Sequence, residues 1–234
     1  MAISYICAGI GAVLLCVFLK LRVSKGACAL VTVIKSTVSI GFMFAAFNAL
    51  YYGENKTAVA VCAGLMFGML GDIFLDQKYA HPESAKVYTF AGFLVFAAGH
   101  IFYDVFLIRN FYTPGKPLYL IIPFAVSIVV AVLNIAGEDL MKLKYGEYKM
   151  ITAFYSVILF SFLALSFSLS LLGGFKNTCC VMMFIASLFF AVSDFILSGT
   201  YFGQGKSRPV DIITNHATYY IAQYLIALSL CFLK

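Results

Sequence analysis

From Thr57 to Asp76 the chain reads TAVAVCAGLMFGMLGDIFLD. The run is uncharged until Asp72, and Asp76 follows one helical turn later. Those 20 residues, coiled as an α-helix, rise about 30 Å, which matches the hydrocarbon core of a bilayer. Apolar and polar positions do not alternate along it, so it does not read as a strand of a membrane barrel. A carboxylate inside such a span costs at least about 2.5–3.5 kcal/mol, even on a lenient insertion scale. The stretch therefore predicts a membrane helix that carries an acid for a purpose.

Outward from it, apolar runs recur at 3–19, 27–50, 87–108, 117–136, 150–172, 178–198 and 212–233. The breaks between them are rich in Gly, Pro and charge, as in Gly53-Glu54-Asn55-Lys56, Pro114-Gly115-Lys116-Pro117 and Gly173-Gly174. With 63% hydrophobic residues, 11% charged residues and mean hydropathy +0.97, lipid is the natural solvent for the chain. The expected fold is all-α, a polytopic bundle of about eight transmembrane helices forming a single domain over 1–234. The net charge of +6 is scattered singly between apolar runs, which fits loops beside anionic headgroups and not nucleic acid.

Lys and Arg number ten in the odd-numbered gaps and five on the other side, so the positive-inside rule predicts both termini on the non-cytoplasmic side. The first apolar run ends in Lys20, Arg22 and Lys25 and reads as a retained span rather than a cleaved signal. The seven cysteines lie almost entirely within apolar runs and show no metal spacing.

Two short patterns recur four helices apart. Phe67-x-x-x-Gly71-Asp72-x-x-Leu75 is matched by Phe189-x-x-x-Ser193-Asp194-x-x-Leu197, and His100-x-x-Tyr103 by His216-x-x-Tyr219. Parallel repeats over 1–112 and 113–234 would bring the two Asp-bearing helices to equivalent places. Asp72 and Asp194 are accordingly expected to share one cavity near the cytoplasmic ends of their helices, opening past Asp76.

Lys35 is the remaining charge deep in a span, suited to hold a phosphate or an aspartate. Asp104, four residues after His100, is placed to orient that ring or to sit near the interface. A metal site would have to draw on His100, Asp104, His216 and one aspartate. The chain contains no HxxxH or HExxH, and neither metal nor cofactor is expected. Nucleophile-elbow and P-loop signatures are also absent.

Lys35, Gly71-Asp72-x-x-Leu75, His100-x-x-Tyr103, Ser193-Asp194-x-x-Leu197 and Tyr220-x-x-Gln223 fall in this order on successive spans. In this they resemble the YhhN family, which includes the transmembrane protein 86 lysoplasmalogenases. Members often carry Lys-Pro in the second span; here Ser36 follows Lys35, so a straighter helix is expected. The resemblance implies hydrolysis of the vinyl-ether bond of a lysophospholipid, releasing a fatty aldehyde and glycerophosphoethanolamine or glycerophosphocholine. Its partners would be that substrate and the bilayer.

In that chemistry Asp72 and Asp194 would serve as acid and as cation-stabilising or water-activating carboxylate, in either order. Lys35, Asp76, His100, Tyr103, Tyr220 and Gln223 would bind or orient substrate and water. The rival readings are another intramembrane lipid hydrolase, metal-dependent or not, and a small-molecule or proton-coupled transporter. Oligomeric state is not specified by the sequence.

Overall fold

The computed structural model describes residues 2–203 and 208–233. Lys206 and Lys234, both part of the charge balance above, lie outside the described residues. Eight long helices follow one another: α1 (Ala2–Lys25), α2 (Ala29–Tyr52), α3 (Ala58–Ala80), α4 (Ala85–Phe111), α5 (Leu118–Ala136), α6 (Lys149–Leu172), α7 (Thr178–Phe202) and α8 (Pro209–Ser229). Among the described residues the fold is an all-α bundle with no strand.

The helix ends follow local chemistry. His81 precedes Pro82 and leaves the helical region (φ −129°, ψ 73°), as a residue before proline is driven to do. That places the end of α3 at Ala80, one turn beyond the expected Asp76, and puts Asp76 inside the helix. Between α6 and α7 the chain turns through left-handed Gly174 (φ +59°), a conformation glycine adopts without a Cβ penalty.

Seven of the helices are long and apolar enough to cross a membrane. The exception is α8, where the sequence predicts an eighth span. It carries Asn215, His216, Tyr219, Tyr220 and Gln223, and it packs on α7, α1, α2 and α3. Inside a bundle such side chains find partners that lipid does not offer. The second helix, α2, runs unbroken past Lys35.

Sequential helices pair as hairpins, and α4–α6, α2–α3, α6–α7 and α2–α8 contacts close the bundle. At the α3–α4 seam the backbones nearly touch. A Cβ on Gly99 would lie 2.9 Å from the Gly64 carbonyl oxygen, and one on Gly64 equally close to that of Gly99. Small residues give this approach in membranes, where lipid supplies no hydrophobic drive between helices.

The C-terminal ends of α1, α3, α5 and α7 gather at one end of the bundle. Lys86 reaches Glu147 at 2.5 Å, Leu143 bridges to Gly203, and the Lys78 ammonium stands 3.2 Å from the centre of the Tyr201 ring. Ser4 bonds to Asn48 and Asn55 to Asn110 at the opposite end.

Candidate functional site

The basic-loop half of the bundle encloses a cavity of about 900 Å³, counting its mouth. The last turns of α3 and α7 and the first turns of α2 and α8 meet around it. Asp72 and Asp194, on different helices, both line it, as do Lys35, Asp76 and His216. The two aspartates predicted to share a cavity therefore do so.

Their partners differ. Lys35 on α2 lies 3.0 Å from Asp72 Oδ1 and 3.5 Å from Asp76 Oδ1, and its ammonium donates to the Asp72 carbonyl oxygen at 3.4 Å. Lys35 thus bridges the two carboxylates of α3. Ser39 donates to Asp72 Oδ2 at 3.4 Å, and Thr32 to Asp76 Oδ2 at 3.3 Å. Arg22, from the end of α1, approaches Asp76 Oδ1 to 3.5 Å through Nη2. Among the described residues Asp194 forms no ion pair of this kind; it accepts a hydrogen bond from the Tyr155 hydroxyl of α6.

The polar residues expected to orient water or substrate occupy a layer beneath the cavity. Tyr103 donates to Gln223 Oε1 at 3.2 Å, Gln223 Nε2 to the Tyr219 hydroxyl at 2.9 Å, and Tyr219 to the Gly68 carbonyl at 3.3 Å. Of these side chains only Tyr219 reaches the cavity wall. Tyr220 is fully buried and donates to the Lys35 carbonyl at 3.0 Å, which fixes the turn that aims the ammonium. Tyr103, Tyr220 and Gln223 thus sit where they position other groups.

His100 is not on the cavity wall either. Its Nδ1 faces the Phe96 carbonyl at 2.8 Å, and its ring packs edge-on against Phe190. Asp104, four residues on, does not orient that ring: Ser161 donates to its Oδ2 at 2.5 Å. The set His100, Asp104, His216 and one aspartate is therefore not assembled as a metal site. Among the described residues no three His, Cys, Asp or Glu side chains converge in a metal-ligating group.

Several wall residues carry no short motif in the sequence. Tyr155 lies within a plain apolar run, Arg22 reads as an ordinary loop cation, and Tyr79 and Tyr201 read as interfacial tyrosines. One signal for Tyr155 does exist. It is the seventh residue of α6, as Lys35 is the seventh of α2, and each bonds to the aspartate of the following helix.

Comparison with curated proteins and with solved structures finds no match. A family model described as the YhhN family matches residues 30–230, a region that contains Asp72, Asp194, Lys35 and every helix from α3 to α7. The chain belongs to the YhhN family.

Proposed function

We propose that the protein is a membrane hydrolase that cleaves the vinyl-ether bond of lysoplasmalogens. The observation that carries the reading is the charge inventory of the cavity. Three carboxylates (Asp72, Asp76 and Asp194) face two cations, Arg22 and Lys35. A buried site is stabilised near neutrality, so one proton belongs to the set. Asp72 and Asp76 each touch a cation, whereas Asp194 meets a tyrosine hydroxyl; Asp194 is the residue fitted to carry the proton.

In the proposed reaction Asp194 delivers that proton to the β-carbon of the vinyl ether. The electron pair of the double bond takes it up, leaving an oxocarbenium ion between the former double-bond carbon and the ether oxygen. Asp72, held as an anion by Lys35, stabilises this cation. Water adds to the carbon and gives its proton back to the carboxylate of Asp194. The hemiacetal then collapses, its hydroxyl proton passing to the ether oxygen, to release a fatty aldehyde and the glycerophospho-alcohol. One water is consumed and the aspartates are regenerated.

The same reading treats 1–112 and 113–234 as two four-helix halves. It is supported by Asp72 and Asp194, which each stand eight residues before the last residue of their helices. The basic-loop end, where the cavity opens, would face the cytoplasm, with both termini on the other side. Purified protein in detergent, given a lysoplasmalogen, is expected to release aldehyde. Detergent abolishes any transport gradient, so release under these conditions also separates hydrolysis from transport. Absence of aldehyde from a well-folded preparation rejects the reading.

A further inference from the structure

A second cavity, of about 1050 Å³, lies between α5, α6 and α7 in the same half of the bundle. Its wall is more apolar than that of the first and lacks its cluster of charges, with Val130, Leu133, Leu159, Phe160 and Ala191 among its lining. It is a groove toward the lipid side: Leu133 is 63% and Phe195 69% exposed. Five residues line both cavities, namely Phe93, Tyr155, Asp194, Leu197 and Tyr201. Asp194 is thus part of a thin partition with a charged chamber on one side and a hydrocarbon-like groove on the other.

Depth along the helices orders the two spaces. Arg22, Tyr79 and Tyr201 stand near the loop end, Asp194 lies further in, and Ala191 one turn deeper still. Among the described residues, three buried polar atoms in this region have no hydrogen-bond partner: Arg22 Nη1 and, in the groove wall, Thr152 Oγ1 and Ser198 Oγ. Arg22 Nη1 is buried without a hydrogen bond, its side chain only 10% exposed, and it belongs to the wall of the charged chamber. Thr152, 5% exposed, presents an unpartnered Oγ1 in the wall of the groove. Unsatisfied buried donors are disfavoured unless something binds them.

We propose that the α5–α6–α7 groove is the hydrocarbon subsite for a single-chain phospholipid whose phosphate meets Arg22. The chain lies along Leu159 and Ala191 toward mid-bilayer, the glycerol passes Thr152, and the bond joining head to chain rests beside Asp194. The inference rests on the hydrolase reading for what happens at that bond, but the placement of the lipid stands on the two cavities and their shared wall. A phospholipid monomer from the leaflet on the basic-loop side reaches this arrangement sideways, without its chain crossing water.

The test is photolabelling of the purified full-length protein with an alkyl-ether lysophospholipid bearing a diazirine near the end of its chain. This probe lacks the vinyl double bond and is not cleaved. Adducts are expected on the groove around Val130, Leu159 and Ala191, and excess unlabelled lysophospholipid should compete them away. Arg22→Gln should raise the probe concentration needed by about tenfold, the worth of one charge-assisted hydrogen bond to phosphate.

Ala191→Phe, which fills the groove, provides a second variant should Arg22→Gln fold poorly. It should displace the adducts and lower the ratio of kcat/KM for a long over a short chain by about tenfold, equivalent to two buried methylenes. Adducts confined to the outer faces of α1 or of the α5–α6 pair overturn the proposal, as does labelling indifferent to both folded variants. Groove labelling without aldehyde release from lysoplasmalogen leaves the lipid site and removes the hydrolase reading. Aldehyde release without groove labelling does the reverse.

Discussion

Asp72 and Asp194 are chemically the same side chain, and their neighbours give them different work. Asn at either position keeps the volume and removes both proton and charge. Each single variant is expected to lose about 10²–10⁴-fold in aldehyde release while keeping its thermal transition, and the double variant to lose little more than the worse single. Near-normal turnover by either folded variant would falsify the mechanism. Tyr155→Phe removes only the hydroxyl that Asp194 accepts from; a bond to a protonated carboxyl, worth about 0.5–1.5 kcal/mol, predicts a rate lowered about 2–10-fold with little change in fold. Lys35→Met should behave otherwise. It leaves the buried Asp72 and Asp76 without their shared cation, and the expected signature is a stability loss of about 3–5 kcal/mol in chemical unfolding. A Lys35→Met protein as stable as the parent would mean that the triad is not a structural unit.

At the scale of elements, the polar residues of α8 and the glycines of α3 and α4 do related work. Each lets a helix pack where bulk or unmatched polarity would forbid it. Gly99→Leu drives a side chain into the Gly64 carbonyl and should separate α3 from α4, lowering the melting temperature and the yield of folded protein together. An unchanged melting temperature would show that the seam is looser than the 2.9 Å approach implies.

The loop between α5 and α6 offers a pH test outside the membrane-spanning segments. Glu138 accepts from the Tyr145 amide at 2.6 Å and from Lys149 at 2.8 Å, and the Lys149 ammonium with that amide holds its carboxyl below the ordinary value of 4.5. A depressed folded value means that the tie is present above pH 4.5 and weakens as pH falls through the lower, folded value. Amide protection in residues 138–145, taken relative to the intrinsic exchange rate at each pH, should therefore fall as pH drops below 4.5, and Glu138→Gln should abolish that loss.

On the scale of the whole molecule, sidedness decides from which leaflet the lipid comes. The segments around the ends of α1, α3, α5 and α7 carry most of the basic residues of the sequence. Epitope tags on the two termini should both be open to protease from the non-cytoplasmic side of sealed vesicles, and a tag inserted at Gly146 should be protected. Cleavage of the Gly146 tag in sealed vesicles would invert the orientation and with it the leaflet of origin.

How much of this was legible beforehand follows from the range of each interaction. Apolar runs, their Gly and Pro breaks and the cost of charge in lipid are local quantities, so helix number, the all-α bundle and the placement of Asp72, Asp194 and Lys35 within helices can be read along the chain. Order on successive spans carried the YhhN resemblance for the same reason. Helix ends were less legible: Asp76 lies inside α3 because a proline six residues on, not the fading apolar run, ends the helix. Partner choice across the bundle is another matter. No short motif at Tyr155 points to Asp194, 39 residues away, and its equivalence to Lys35 shows only once the helix starts are known; nothing around Arg22 points to Asp76. Likewise His100 and Asp104 share a helix face as their spacing requires, yet that face meets Phe190 and Ser161 rather than a cavity. Helical periodicity states which side chains point together; only the packing of α1, α6 and α8 around α3 and α7 decided what they point at.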